Sequence, residues 1–243
     1  MKKRIVLKSN SFTYPTEIEN QEIDRQIPKI YRLNIEHKSA FMNYLKSQNI
    51  HKAIKEEDIY WWNLCLNNRF GKLEQTYGYV VTHYKRLKEY EILNSEKVYT
   101  ENFLFDYYTE IFYYYYFSSR DILGQLLNSL FEIEYDESKI YFNETFIKKI
   151  SNEKIKEDSL EFLSLTSDSY KKYRNAFNHR FTPNLIDNRA KMTTIIKDSG
   201  NEINFGTAKE ISKSEFYNDI HKLMEILSNY TESLSEQINN TSY

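Results

Sequence analysis

Cysteine is almost missing from this chain of 243 residues, and the lone Cys65 cannot form an internal disulfide, so no part of the fold depends on an oxidising compartment. Glycine and proline are also scarce, at five and three residues. Because these two residues punctuate loops and break helices, their shortage predicts long uninterrupted helices with short connections and argues against an all-β architecture. A strong charge of one sign is lacking too: the formal net charge is -2, so the chain has no global basic character and any footprint for nucleic acid must be local. No apolar run reaches transmembrane length. After the basic start at Met1 to Arg4, the apolar stretch Ile5-Val6-Leu7 falls far short of a signal-peptide core. The expectation is a cytoplasmic protein with no membrane partner.

What is present is a globular balance, 40% hydrophobic and 28% charged, with 22 tyrosines. The length is enough to bury a sizeable core. Residues 1–16 have no sustained period, and Pro15 and Pro28 fence off a polar stretch, which predicts irregular structure and then a helix from about Lys29 to Ser47. From Glu56 onward, Ile59, Trp62, Leu66, Phe70, Leu73, Tyr77 and Val81 recur at spacings of three and four, predicting a long helix over about 56–93. Gly71 and Gly78 either let a neighbouring helix approach or simply weaken this one by about 1 kcal/mol each. A second long helix reads from Tyr99 to about Tyr135, apolar on more than one face and so central. A shorter helix is expected over 143–154, and another, capped by Asp158 or Ser159, runs to about His179 before Pro183 stops it. Two β-branched segments flanking Asp198-Ser199-Gly200-Asn201 read as a small β-hairpin near 191–205, followed by a last helix capped by Ser212. Two regions are expected: an N-terminal extension, 1–54, with one helix packed on the rest, and a main helical domain, 55–243.

The chemistry concentrates at Arg174-Asn175-Ala176-Phe177-Asn178-His179. With nine arginines and five histidines in the chain, an arginine five residues before a histidine is expected by chance about 0.2 times, so the spacing alone is weak. Indeed Arg32 and His37 share it, but leucine follows that arginine and Glu36 precedes that histidine, which marks a surface segment. In the later match asparagine follows the arginine. On a helix Asn175 and His179 share a face with Lys171, while Arg174 and Asn178 form the adjoining row. Phe162, Tyr173, Ala176 and Phe177 supply an apolar face for packing. Between Asp168 and Lys191 six Lys or Arg stand against two Asp, a local positive surplus that suits phosphate.

This stretch resembles the HEPN superfamily, whose hallmark is arginine, four to six residues, then histidine, with a polar residue directly after the arginine near the end of a late helix. The order of helices is similar over about 55–235. The resemblance implies an all-α helical bundle of the HEPN type with a small β-hairpin insertion before the last helix. It also implies a homodimer in which two motif helices face each other, and a metal-independent endoribonuclease that needs no cofactor. Arg174, Asn175 and His179 are the implied catalytic residues, and Lys171, Asn178, Arg180 and Arg120 are candidates for RNA binding. Histidine as a residue type titrates near neutral pH, so a histidine at position 179 suits proton transfer at a ribose 2′-hydroxyl or a leaving 5′ oxygen. Arg174 offers a planar fork of donors to the phosphate, and Asn175 orients its neighbours. The products implied are a 2′,3′-cyclic phosphate and a 5′-hydroxyl. Members of the superfamily include toxins and antiviral defence effectors, so an antitoxin or defence-system component is an implied partner. Other members have lost catalysis and bind RNA or a partner protein, which is the alternative reading. One departure is Phe181, where toxins silenced by nucleotidyltransferase antitoxins usually carry tyrosine.

Plainer readings stand beside these. Arg174 and His179 can be a solvated helix end, where basic side chains favour the C-terminal dipole. Arg120 and Asp121 serve either the motif or a buried structural pair. The tyrosines at 113–116 favour core and dimer packing over base stacking, and His83 to Lys88 is either a phosphate-tracking run or a solvated face. The five histidines are scattered without close ligand pairs, and the chain carries no Walker A loop, dinucleotide fingerprint or Gly-x-Ser-x-Gly elbow.

Overall fold

The computed structural model describes residues 14–37, 39–179, 182–183, 191–197, 200–206 and 211–240. Two helices, α3 (Ile50–Ile92) and α4 (Val98–Leu130), dominate it. At about 1.5 Å per residue, α3 is about 65 Å long. The two run antiparallel, since His83 meets Glu101, Arg69 lies over the Tyr115 ring and Lys55 pairs with Glu132. Between them sit the largest buried side chains, among them Phe70, Leu73, Tyr77, Phe105, Phe112 and Tyr116. Each such side chain contributes about 1.5–3 kcal/mol by leaving water. The apolar residues on more than one face of α4 are only partly enclosed: the helix packs on α3 and on the later helices Glu153–Ser169 and Lys213–Asn240, while Tyr99, Phe103, Tyr107 and Tyr114 line an exposed side.

Of the helix expected from Lys29 to Ser47 only the second half forms. Ahead of it, α1 (Glu17–Gln26) occupies the polar stretch, and residues 28–37 run without helix before α2 (Ala40–Ser47). Thr16 and Glu19 form a reciprocal capping box that starts α1. Pro28 stops it, because the residue before a proline is pushed toward extended backbone, and Ile27 has ψ 124. Ile30 and Leu33 still reach the core from this extended segment. Arg32 in the earlier arginine-histidine match is half-buried rather than purely superficial, paired with Glu74 at 2.5 Å and lying over the Phe70 ring. His37 contacts Glu57 at 3.7 Å and the rings of Tyr60 and Trp61.

The basic run His83 to Lys88 is neutralised by its surroundings. Lys85 pairs with Glu22, Arg86 with Glu19, Lys88 with Glu91 and buried His83 with Glu101, so it offers no open phosphate track. Past α4, α5 (Glu144–Ile147) is a single turn capped by Asn143, and α6 (Glu153–Ser169) starts earlier than expected because Asn152 is its cap. Asp158 instead accepts hydrogen bonds from Ser233 and Gln237 of α8 (Lys213–Asn240). Phe162 and Tyr230 stack at 4.5 Å between the same two helices. After α7 (Asn175–His179), β1 (Lys191–Lys197) and β2 (Gly200–Gly206) run antiparallel, with Lys191 opposite Gly206 and Lys197 opposite Gly200. Asp198 and Ser199, where a turn is expected, lie outside the described residues. No helix among the described residues is long and apolar enough to cross a membrane.

Two ion pairs give measurable consequences. The Arg86 guanidinium donates to both carboxylate oxygens of Glu19 at 2.7 Å and, foremost among several causes, holds that carboxyl down to about 2. A carboxyl whose folded pKa is depressed contributes stability above its unfolded value that is lost as pH falls toward the folded one. Urea unfolding of Glu19→Gln should therefore show less loss of stability than the native chain between about pH 4.5 and pH 2; equal losses would remove Glu19 from the acid response. His83 and Glu101 meet at 2.6 Å with side chains only 2% and 6% exposed. Removing one member of this buried hydrogen-bonded pair strands the other, so His83→Ala should cost at least about 1–3 kcal/mol by guanidinium titration, and an unchanged stability would show that Glu101 finds other compensation.

Candidate nuclease site

The motif is reached through a local irregularity. Following α6 comes a π turn, Tyr170–Arg174, in which the Asn175 amide donates to the Tyr170 carbonyl five residues back. Only then does the chain resume as α7. The single continuous helix expected through the motif is thus interrupted, and the expected sharing of one face by Lys171 and Asn175 is shifted by the wider turn. Such single-turn insertions are rare and recur at functional positions.

Aromatic packing and one carboxylate hold the turn in place. Tyr173 and Phe177 lie against Tyr113 at 5.1 and 5.8 Å and against Phe216 at 5.1 and 6.2 Å, which ties the motif to α4 and α8. Tyr173, Ala176 and Phe177 are all buried, so one side of the motif segment is committed to the core. At the junction, Asp219 of α8 accepts a hydrogen bond from the Tyr113 hydroxyl at 2.8 Å and another from the Ser169 hydroxyl at 2.7 Å. Burial raises the Asp219 carboxyl above its ordinary range, with those two hydroxyls working against the shift.

The polar side of the motif is built around a tyrosine. The Arg174 guanidinium carbon stands 5.2 Å from the centroid of the Tyr170 ring, and Arg120 of α4 stands 4.6 Å from the same centroid and 5.1 Å from that of Phe117. Both contacts are in cation–π range. Arg174 also donates a long hydrogen bond, 3.4 Å, to the Asn175 amide oxygen. Asp121 sits beside the two arginines without an ion pair to either among the described residues. Although the residue reaches solvent, surrounding protein raises its carboxyl, opposed by Arg120 and Arg174. Burial lowers the Arg120 pKa from its ordinary value.

Of the residues expected from sequence, Arg174, Asn175 and Arg120 are brought together. Lys171 is exposed on the first turn of the π segment, whereas its neighbour Lys172 is paired with Glu215. His179 closes α7, four residues after Asn175; its side chain, that of Asn178, and the whole of Arg180 and Phe181 lie outside what is described. Tyr170 and Asp219 were not singled out as site residues in advance. The spacing of Tyr170 four residues before Arg174 was a usable signal for a ring and cation on one helix face. Asp219 left none, because its partners are distant in sequence. The tyrosine run divides as core packing predicts: Tyr113 and Tyr116 are buried and Tyr115 partly so, while Tyr114 is 55% exposed beside Arg69. Among the described residues no group of three or more His, Cys, Asp or Glu is arranged to hold a metal ion. A cleft of about 640 Å³ at the far end of the α3–α4 pair, lined by His51, Lys55, Asp58 and Glu132 among others, includes none of the motif residues.

A long antiparallel helix pair, a motif helix packed on its second member and a closing helix over both define a helical domain of the HEPN class. A family model described as Cthe2314-like HEPN matches residues 62–240, and the chain belongs to the HEPN superfamily. Neither a curated protein nor a solved structure matches it.

The Asp219 junction can be tested without reference to activity. Asp219→Ala leaves the Tyr113 and Ser169 hydroxyls without their acceptor, which should cost about 2–4 kcal/mol in urea unfolding. It should also speed hydrogen exchange at the Asn175 amide that closes the π turn. Unchanged exchange there would mean that aromatic packing alone holds the motif.

Proposed function

We propose that this protein is a metal-independent endoribonuclease that cleaves single-stranded RNA by attack of the ribose 2′-hydroxyl on the adjacent phosphodiester. The observation that carries this reading is Arg174. It stands at the family's motif position, half-buried on the Tyr170 ring, with no carboxylate ion pair among the described residues. A guanidinium in the motif with no carboxylate paired to it among the described residues suits an incoming phosphate, whose charge rises as the pentacoordinate transition state forms.

In this reading Arg174 holds the phosphodiester, and the 3.4 Å contact to Asn175 limits the directions its fork can take. His179 accepts the 2′-hydroxyl proton or donates one to the leaving 5′ oxygen. One imidazole cannot do both at once, so a homodimer with two facing motifs supplies both roles. Lys171, Asn178 and Arg180 flank the cleaved bond and bind RNA. DNA is spared because it lacks the nucleophile. The setting is cytoplasmic, and an RNA-cutting activity of this kind suits a toxin or antiviral defence effector held in check by an antitoxin or defence-system partner.

The test is incubation of the purified protein with single-stranded RNA in excess EDTA. The native chain should yield 2′,3′-cyclic phosphate ends, and His179→Ala and Arg174→Ala should each lower the rate by about a hundredfold or more. RNA binding without cleavage by the native chain would instead favour a catalytically silent HEPN module. Cleavage that survives both substitutions would place the activity elsewhere. Growth arrest on expression, relieved by His179→Ala, reads the toxin role separately.

A further inference from the structure

Arg120 is a buried cation with no carboxylate in ion-pair contact among the described residues. The residue is only 8% exposed, yet its guanidinium has no ion pair and no hydrogen bond to any described residue, and its Nε atom is fully buried with no partner. What touches it is aromatic: Tyr170 at 4.6 Å and Phe117 at 5.1 Å. Behind it the Tyr116 hydroxyl is also buried without a hydrogen-bond partner. Two half-buried arginines elsewhere are each paired with a carboxylate, Arg86 with Glu19 and Arg32 with Glu74, and half-buried Arg69 rests on the Tyr114 and Tyr115 rings; Arg120 is more deeply buried than any of these. Cation–π contacts of about 0.5–2 kcal/mol do not offset the several kcal/mol that burying an unpaired charge costs. The second guanidinium on the same ring, Arg174, adds repulsion to that cost. An arrangement this unfavourable when empty is relieved by an anion.

We infer that Arg120 and Arg174, held on the shared ring of Tyr170, form a two-guanidinium clamp for the phosphodiester backbone of RNA, with Arg120 as a binding residue that the motif itself does not contain. This rests on the ribonuclease reading above and deepens it by assigning the clamp to the polynucleotide's charge rather than to its bases. Tyr170 gives both guanidinium groups one ring to rest on, and the π turn brings the tyrosine and Arg174 to α4. Phosphate is favoured over a carboxylate ligand because a phosphodiester offers oxygens to both forks at once, and because the segment 168–191 carries six basic residues against two acidic ones. Asp121 lies close enough to act on both arginines electrostatically but makes no ion pair with either among the described residues.

The experiment uses the full chain and a probe that cannot be cleaved, a short 2′-O-methyl oligoribonucleotide read by fluorescence anisotropy, together with inorganic phosphate in thermal melts. Arg120→Met keeps the stem and removes the orphaned charge. Without phosphate it should melt at or above the native temperature, since it relieves a buried unpaired cation. It should bind the oligonucleotide about tenfold or more weakly, and phosphate should raise the melting temperature of the native chain but not of the variant. Arg120→Lys, which keeps charge but loses the planar fork, should fall between the two.

Native-like oligonucleotide binding by Arg120→Met would overturn the clamp, as would a melting temperature well below native, which would make the guanidinium a packing element. Tighter binding of a glutamate-rich peptide than of the oligonucleotide would overturn it as well. The two readings fail separately. Lost binding in Arg120→Met alongside a native chain that never cuts RNA keeps the clamp and removes the nuclease, whereas unchanged binding alongside His179-dependent cleavage does the reverse.

Discussion

Three helices meet at a single carboxylate, and the motif hangs from that meeting point. Asp219 on α8 receives the hydroxyl of Tyr113 from α4 and that of Ser169 from the last residue of α6. A carboxylate has lone pairs for both, and each hydroxyl has one proton to give, so the junction is satisfied only when all three helices are in register. From Ser169 onward the chain has to turn its next residues toward α4, and it does so by widening one turn rather than by breaking the helix. Tyr173 and Phe177 then enter the aromatic group with Tyr113 and Phe216, which fixes the opposite side of the segment and leaves Tyr170 and Arg174 facing Arg120.

The parts of this arrangement that were legible in the sequence are those decided by many residues together. Few glycines and prolines, and apolar spacing sustained over several turns, were enough for α3, α4 and α8. Parts decided by one or two contacts were not legible. The capping box of Thr16 and Glu19 produced α1 in a stretch whose composition alone looked irregular. Asn152 took the cap of α6 from Asp158, whose carboxylate is occupied instead by Ser233 and Gln237 of α8. Ile30 and Leu33 are buried as a helix would bury them, yet they lie in a non-helical segment that follows Pro28, and helix resumes only at Ala40. The motif's apolar side was readable from its period, but the π turn was not. Its segment, Tyr-Lys-Lys-Tyr-Arg, is ordinary helical sequence, and the extra residue is imposed by contacts at Asp219 and the aromatic group.

Two buried basic side chains on the same helix pair differ in what surrounds them. His83 and Arg120 are both almost wholly inside, at 1% and 8% exposure, and both touch tyrosine rings. The histidine has a carboxylate at hydrogen-bond distance; the arginine has none. Burial desolvates a charge to a similar degree in either place, so the difference lies in what compensates it within the folded chain. His83 has the Glu101 carboxylate at 2.6 Å, near the α3–α4 turn and a long way along α4 from the motif. Arg120 has no such partner among the described residues, and neither has Arg174 on the same tyrosine ring. The proposed clamp rests on that contrast: a buried guanidinium whose compensation is not supplied by the described part of the chain is suited to a charge that arrives from outside.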